Sequence, residues 1–346
     1  MTSPLRHVHA AFCTLVVAAG LLGGCAFAGS PGAAPDLGLE ALVNDEPGVT
    51  TLPGGSLLVV HVAGRTYGVV AFGVPESWGA GAIEPLELGN WTTNAVRQAV
   101  DPSALPPTLA SREGLVVEAY AGDGFACTAR IGTLSLLRRS WMFSDDDEVG
   151  NVPSDRFDQA RAEDVWEQTD ETLLVGELDA LTGACDDAVL ASPRSLPAPI
   201  VFVRREPSSL GPEPRAAAAA AFAARPTVRD FERDRRQAPE AERPLPAEPW
   251  IGVWGDVTSD RTLVTASSYG ACGAETPTLL LILDGDDPAL PVVSEQVDAW
   301  DDPALLLDLD ADGLLDAITD DAVIFDPSTP RARLVNAAPA NPPCPC

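Results

Sequence analysis

Short apolar strings broken by Gly, Pro and Asp recur along most of this chain, and their periods predict strands far more often than helices. The stretch "SLLVVHVAGRTYGVVAFG" (56–73) predicts a hairpin, two apolar strands around Ala-Gly-Arg. "GLVVEAYAGDGFACTARIGTLSLLRRSW" (114–141) predicts two more strands around Gly-Asp-Gly, and "TLLVGELD" and "APIVFVRRE" complete a β-rich region over 38–204. Within it, only "DQARAEDVWEQTD" (158–170) has helical spacing. The pattern then changes. Over 205–248 an Ala-rich run predicts one helix. Pro226 fits the first turn of a second helix, and a Pro-rich run follows. Residues 249–346 return to strands, among them "WIGVWGDV", "RTLVTASS", "TPTLLLILDG" and "DAVIFDP", and end in the Pro-rich "NAAPANPPCPC". The expected fold is mainly β (α+β), with antiparallel sheets in two lobes and a helical connector between them.

Composition agrees with a folded chain: 46% of the 346 residues are hydrophobic, enough to bury a sizeable core. Charge restricts the partners. There are 51 acidic residues against 22 basic ones, all of them Arg, for a net charge of -29. Such a surface repels nucleic acid and anionic headgroups and attracts divalent cations.

The first residues carry an address. Arg6 lies in a short n-region, and an apolar run from Ala10 to Leu22 has the length of a secretory h-region rather than of a membrane span. It ends in Leu22-Gly23-Gly24-Cys25, which resembles the bacterial lipoprotein lipobox. The resemblance implies a signal peptide over 1–24, cleavage before Cys25, and acylation (palmitate among the chains) at the Cys25 thiol. It also implies a membrane partner through that lipid. Ala26 after the cysteine, rather than Asp, implies sorting to the outer membrane, on its periplasmic or its surface face. Residues 25–37 then read as the lipidated Cys and a small, Pro/Gly-rich flexible tether.

An exported chain meets an oxidising compartment, so its other cysteines are expected to pair. Cys127 and Cys185 fall in one half of the sequence; Cys272, Cys344 and Cys346 fall in the other. The expected bridges are Cys127–Cys185, and Cys272 with either Cys344 or Cys346.

One short segment concentrates acid beyond what the composition requires. In "LLLDLDADGLLDAI" the carboxylates of Asp308, Asp310, Asp312 and Asp316 surround Gly313 in the order D-x-D-x-D-G-x-x-D. Hard cations take oxygen ligands, and four carboxylates this close repel one another without one. An EF-hand would need Glu where Thr319 stands, and flanking helices; the flanks here suit strands. The loop resembles the calcium loops of FG-GAP and VCBS-type repeats, in which the ion is structural and joins two strands. The resemblance implies Asp308, Asp310, Asp312, Asp316 and the backbone carbonyl of Leu314 as ligands, with calcium as the cofactor. A single copy implies no propeller.

Catalytic signals are weak. Past residue 24 the only histidine is His61, inside the apolar strand, and no nucleophile elbow, zinc-protease motif or Gly-rich phosphate loop is present. Whether the chain is an enzyme stays open, with a non-enzymatic role favoured and no catalytic residue assigned. Seven tryptophans in a chain with 6% aromatics are read as core, with Trp250 and Trp254 packing on one side of a strand. The expected function is a membrane-anchored envelope or surface lipoprotein with a binding or structural role, its partner an unidentified envelope protein or glycan. The alternative is an exported hydrolase working through a pair of carboxylates.

Overall fold

The structure, a computed structural model, describes residues 48–88, 94–140, 161–169, 171–193, 202–239, 246–256, 259–268, 277, 279–285, 290–297, 303–310, 312, 315–325 and 333–337. Cys25, Cys272, Gly313, Leu314, Cys344 and Cys346 lie outside these residues, as does everything before residue 48. The fold is mainly β, built as two antiparallel sheets within one compact unit.

Strands β1 (Leu57–Val62) and β2 (Arg65–Ala71) form the predicted hairpin. Their two-residue connection, Ala63-Gly64, has φ of 52° and 70°, the left-handed pair that matches the twist of a tight hairpin. Strands β3 (Gly79–Glu87), β4 (Asn94–Val100), β5 (Val116–Ala121), β6 (Gly124–Ser140), β7 (Leu173–Gly183) and β8 (Ala188–Ser192) complete the first sheet. Its order is β3-β4-β6-β5-β8-β1-β2-β7, and β7 pairs back onto β6. Six strands therefore close a barrel, while β4 and β3 continue from β6 as an extension. Closure removes the sheet edge within the barrel. It depends on β6, a 17-residue strand whose register against β7 slips twice, between Thr128 and Ala129 and between Ile131 and Leu134. Such bulges bend a strand and raise its twist. At the second slip Gly176 faces Ile131, and any Cβ there would collide with that side chain.

Both faces of the barrel wall are buried. Leu57, Val59, Ile131, Leu136 and Leu174 fill the interior. Leu58, Val60, Tyr67, Val69 and Leu190 point outward into a second cluster that also holds Leu305, Leu307, Ile318, Val323 and Val335. This double burial is why β1 reads as an almost unbroken apolar run instead of an alternating one. The short helices α1 (Pro107–Ala110) and α2 (Ala162–Gln168) complete the interior, with Leu109 from the first and Ala162, Val165 and Trp166 from the second.

The second sheet comprises β9 (Phe202–Arg205), β10 (Trp250–Asp256), β11 (Thr262–Ser268), β12 (Leu279–Asp284), β13 (Val292–Val297), β14 (Leu305–Leu307), β15 (Asp316–Ile318), β16 (Ala322–Phe325) and β17 (Arg333–Asn336). In the order β13-β12-β11-β10-β9-β14-β15-β16-β17 it curls into a half-barrel. Its concave side is lined by Phe202, Trp254, Leu263, Ile282, Leu306 and Ala317.

Three sequence readings need correction. The strand in "APIVFVRRE" belongs not with the strands before it but in the second sheet, where it pairs with β10 and β14. A four-residue strand carries too little pattern to specify non-local partners. The helices of 205–248, α3 (Pro212–Ala223) and α4 (Pro226–Gln237), are present, with Pro226 in the first turn of α4. They do not bridge two lobes: Ala218, Phe222 and Val228 pack on Val264, Ala266, Leu281 and Leu283, so the helices cover the convex side of the second sheet. Trp250 and Trp254 do not share one environment either. Trp254 is fully buried, whereas Trp250, the first residue of β10, is 70% exposed past the end of the core. Among the described residues no helix is long and apolar enough to cross a membrane.

Candidate metal centre

Strands β14 and β15 pair in register, Leu305 with Ile318, Leu306 with Ala317 and Leu307 with Asp316. Alternation sends Leu305 and Leu307 to the barrel wall and Leu306 to the concave core. Both ends of the connecting loop are thus clamped by apolar burial, and the acidic residues are gathered between them. Asp316 is fully buried, and its Oδ2 accepts a hydrogen bond from the Leu309 N–H at 2.8 Å. The Asp312 N–H donates to Asp308 Oδ1 at 3.0 Å and to Asp310 Oδ1 at 3.3 Å. These backbone donors hold the carboxylates in place.

One carboxylate oxygen from each of Asp308, Asp310 and Asp316 lies within 4.8 Å of the others. Two oxygens bound to one calcium at about 2.4 Å can be no more than about 4.8 Å apart, so each pair among these three meets the distance condition for sharing one ion. The side chain of Asp312 is exposed and is not one of the three gathered carboxylates, while its N–H donates to two of the loop's acids. Burial, then the charges of Asp312 and Asp308, push the Asp310 carboxyl above its ordinary value. A divalent cation would reverse that pressure.

The predicted Cys127–Cys185 bridge is formed, with the Cα atoms 5.4 Å apart. It ties β6 to the segment before β8, and both cysteines are buried in the barrel interior. His61 is exposed near the end of β1, on the face of the strand that carries Leu57 and Val59, its ring within hydrogen-bonding distance of the Ala188 carbonyl (2.8 Å) and Thr66 Oγ1 (3.3 Å).

Sequence reasoning missed Arg138 and Arg139. These adjacent cations near the end of β6 leave by opposite faces, and both are buried. Arg138 donates to Thr172 Oγ1 at 2.7 Å, to the Trp166 carbonyl and to Glu76, and lies 4.5 Å from the centre of the Trp166 ring. It fastens α2 to the barrel. Arg139 reaches the second sheet. The available signal was "LLRRS", a pair of charges where apolar alternation had been continuous.

Glu171 borders a small cavity with Arg139, Thr169, Leu173 and Ala337. Burial raises its carboxyl above the ordinary glutamate value, and the Arg139 charge offsets this only in part.

Comparison of the chain with protein-family models, with curated proteins and with solved structures finds no match.

Proposed function

We propose that this chain is a bacterial envelope lipoprotein, anchored to the outer membrane through an acylated Cys25. It would present its β unit beyond a flexible tether for a non-enzymatic binding or structural role. The observation that carries this reading is the buried Cys127–Cys185 bridge. A disulfide inside a barrel core belongs to a protein that folds in an oxidising compartment, and Leu22-Gly23-Gly24-Cys25 supplies the route there. The surface charge of an all-Arg, strongly acidic chain supports protein, glycan or cation partners over nucleic acid.

Calcium is the cofactor we propose for the loop between β14 and β15. Asp308, Asp310 and Asp316 would hold it through their gathered oxygens, joined by Asp312 and the Leu314 carbonyl as the loop resemblance implies. The ion would neutralise the crowded carboxylates and fix the hairpin against the barrel wall, a structural task and not a catalytic one.

Cys25→Ser tests the anchor. The wild-type chain, expressed in a bacterial host supplied with labelled palmitate, is expected to take up label and to sediment with membranes. The variant is expected to stay unlabelled and uncleaved. A wild-type protein that is unlabelled and recovered in the soluble fraction would overturn the lipoprotein reading.

A further inference from the structure

The barrel wall and the half-barrel meet across an apolar cluster with a buried cation at its rim. Arg139 donates from Nη2 to Asp321 Oδ1 at 2.7 Å and to the Ala337 carbonyl. The Ala337 N–H in turn donates to the Asp321 carbonyl at 2.7 Å. One guanidinium on β6 thus joins the turn between β15 and β16 to the residue that follows β17, across separations of 182 and 198 residues. Among the described residues, strand β17 is an edge strand held on one side only, by β16. Its Val335, and Ala337 just after it, are buried against Leu58, Val60 and their neighbours on the barrel wall.

This cation is not fully satisfied. The Arg139 side chain is 4% exposed, yet its Nε has no hydrogen-bond partner among the described residues. A buried guanidinium with an orphaned N–H is a poor source of stability compared with an apolar residue of similar size. What it supplies, and an apolar residue would not, is a directional tie between three segments.

We propose that residues 333–337 form a strap that closes the half-barrel over the outer barrel wall, and that Arg139 is its catch. Release of the catch frees β17 first, because that strand has one neighbour and a short apolar contact. It uncovers the part of the outer-wall cluster that Val335 and Ala337 close, while leaving the barrel interior, closed by its own ladder and disulfide, intact. The strap is independent of the metal reading: neither Arg139, Asp321 nor Ala337 belongs to the acidic group.

Hydrogen exchange on the full chain tests this, comparing wild type with Asp321→Asn and Arg139→Gln. Asp321→Asn keeps the tie from Arg139 to the Ala337 carbonyl, so it folds even if the second variant does not. Amides of β16 and β17 are expected to exchange roughly tenfold faster in Asp321→Asn, the loss of one charge-assisted hydrogen bond. Amides of β5, β6 and β8 should keep their protection, and an apolar-surface dye should bind more strongly. Unchanged exchange in β16 and β17 would overturn the proposal. So would an equal acceleration in all strands, because Arg139 would then stabilise the whole fold and not a separable strap.

Discussion

Replacing Cys127 and Cys185 together by alanine is expected to lower the stability of the folded unit by about 4 kcal/mol. The bridge spans 58 residues, and the chain-entropy account assigns that much to a loop of such length. For a unit of this size the loss corresponds to a fall in melting temperature on the order of 10 °C. The native side adds to the effect. Cys127 sits on β6 opposite Gly183 of β7, and Cys185 lies two residues beyond that glycine. The bridge therefore pins the barrel seam where β7 ends and the chain turns toward β8. Thermal denaturation of the double variant beside the oxidised wild type checks this. A loss below about 1 kcal/mol would show that the unfolded chain is not loosened by opening the loop. The result bears on location as well: a barrel that depends on this bridge is suited to an oxidising compartment and not to a reducing one.

Trp254→Ala is expected to cost a similar amount, about 4 kcal/mol. Trp254 is fully buried at the centre of the concave core, in the cluster with Phe202, Leu263, Ile282 and Leu306. Its six-membered ring lies over Gly252, where any Cβ would strike it, so the glycine and the tryptophan fill one space together. Yet the indole Nε1 has no hydrogen-bond partner among the described residues. Trp254→Phe removes that unsatisfied donor along with part of the ring, and is expected to cost less than half as much as the alanine change. Urea unfolding of the two variants separates the cases. Equal losses would mean that the smaller ring recovers none of the packing and that both variants lose a hydrogen bond made by the indole N–H.

The two hairpins of the barrel were legible because each is local. Ala63-Gly64 and Gly122-Asp123 turn the chain between apolar runs long enough to read. Helices α3 and α4 were legible from Ala content and from Pro226, but their role was not. The face that packs on β11 and β12 is a narrow one, Ala218, Phe222 and Val228, inside segments otherwise rich in Ala or charge. The placement of β9 was hidden for a different reason. Its partners lie about 50 residues away in β10 and about 100 away in β14, and nothing in four residues encodes those distances. The acidic spacing gave the loop, and with it the gathering of Asp308, Asp310 and Asp316. It did not show that Asp312 would turn its side chain outward and serve through its N–H. Arg138 and Arg139 escaped because a buried cation is decided by tertiary partners such as Glu76 and Asp321, which lie far off in sequence.

If an ion in the β14–β15 loop fixes the second sheet, calcium titration of the metal-free protein will show it. Calorimetry and thermal melting would be run on wild type and on Asp310→Ala/Asp312→Ala, with magnesium as a control. Calcium is expected to bind the wild type with the release of heat or of protons. At a hundred-fold excess over its dissociation constant it should stabilise the fold by about 2.7 kcal/mol, with a much smaller shift in the variant. A wild-type melting temperature that does not respond to calcium, or a variant that responds equally, would contradict it and leave the acidic loop as a hydrogen-bonded turn.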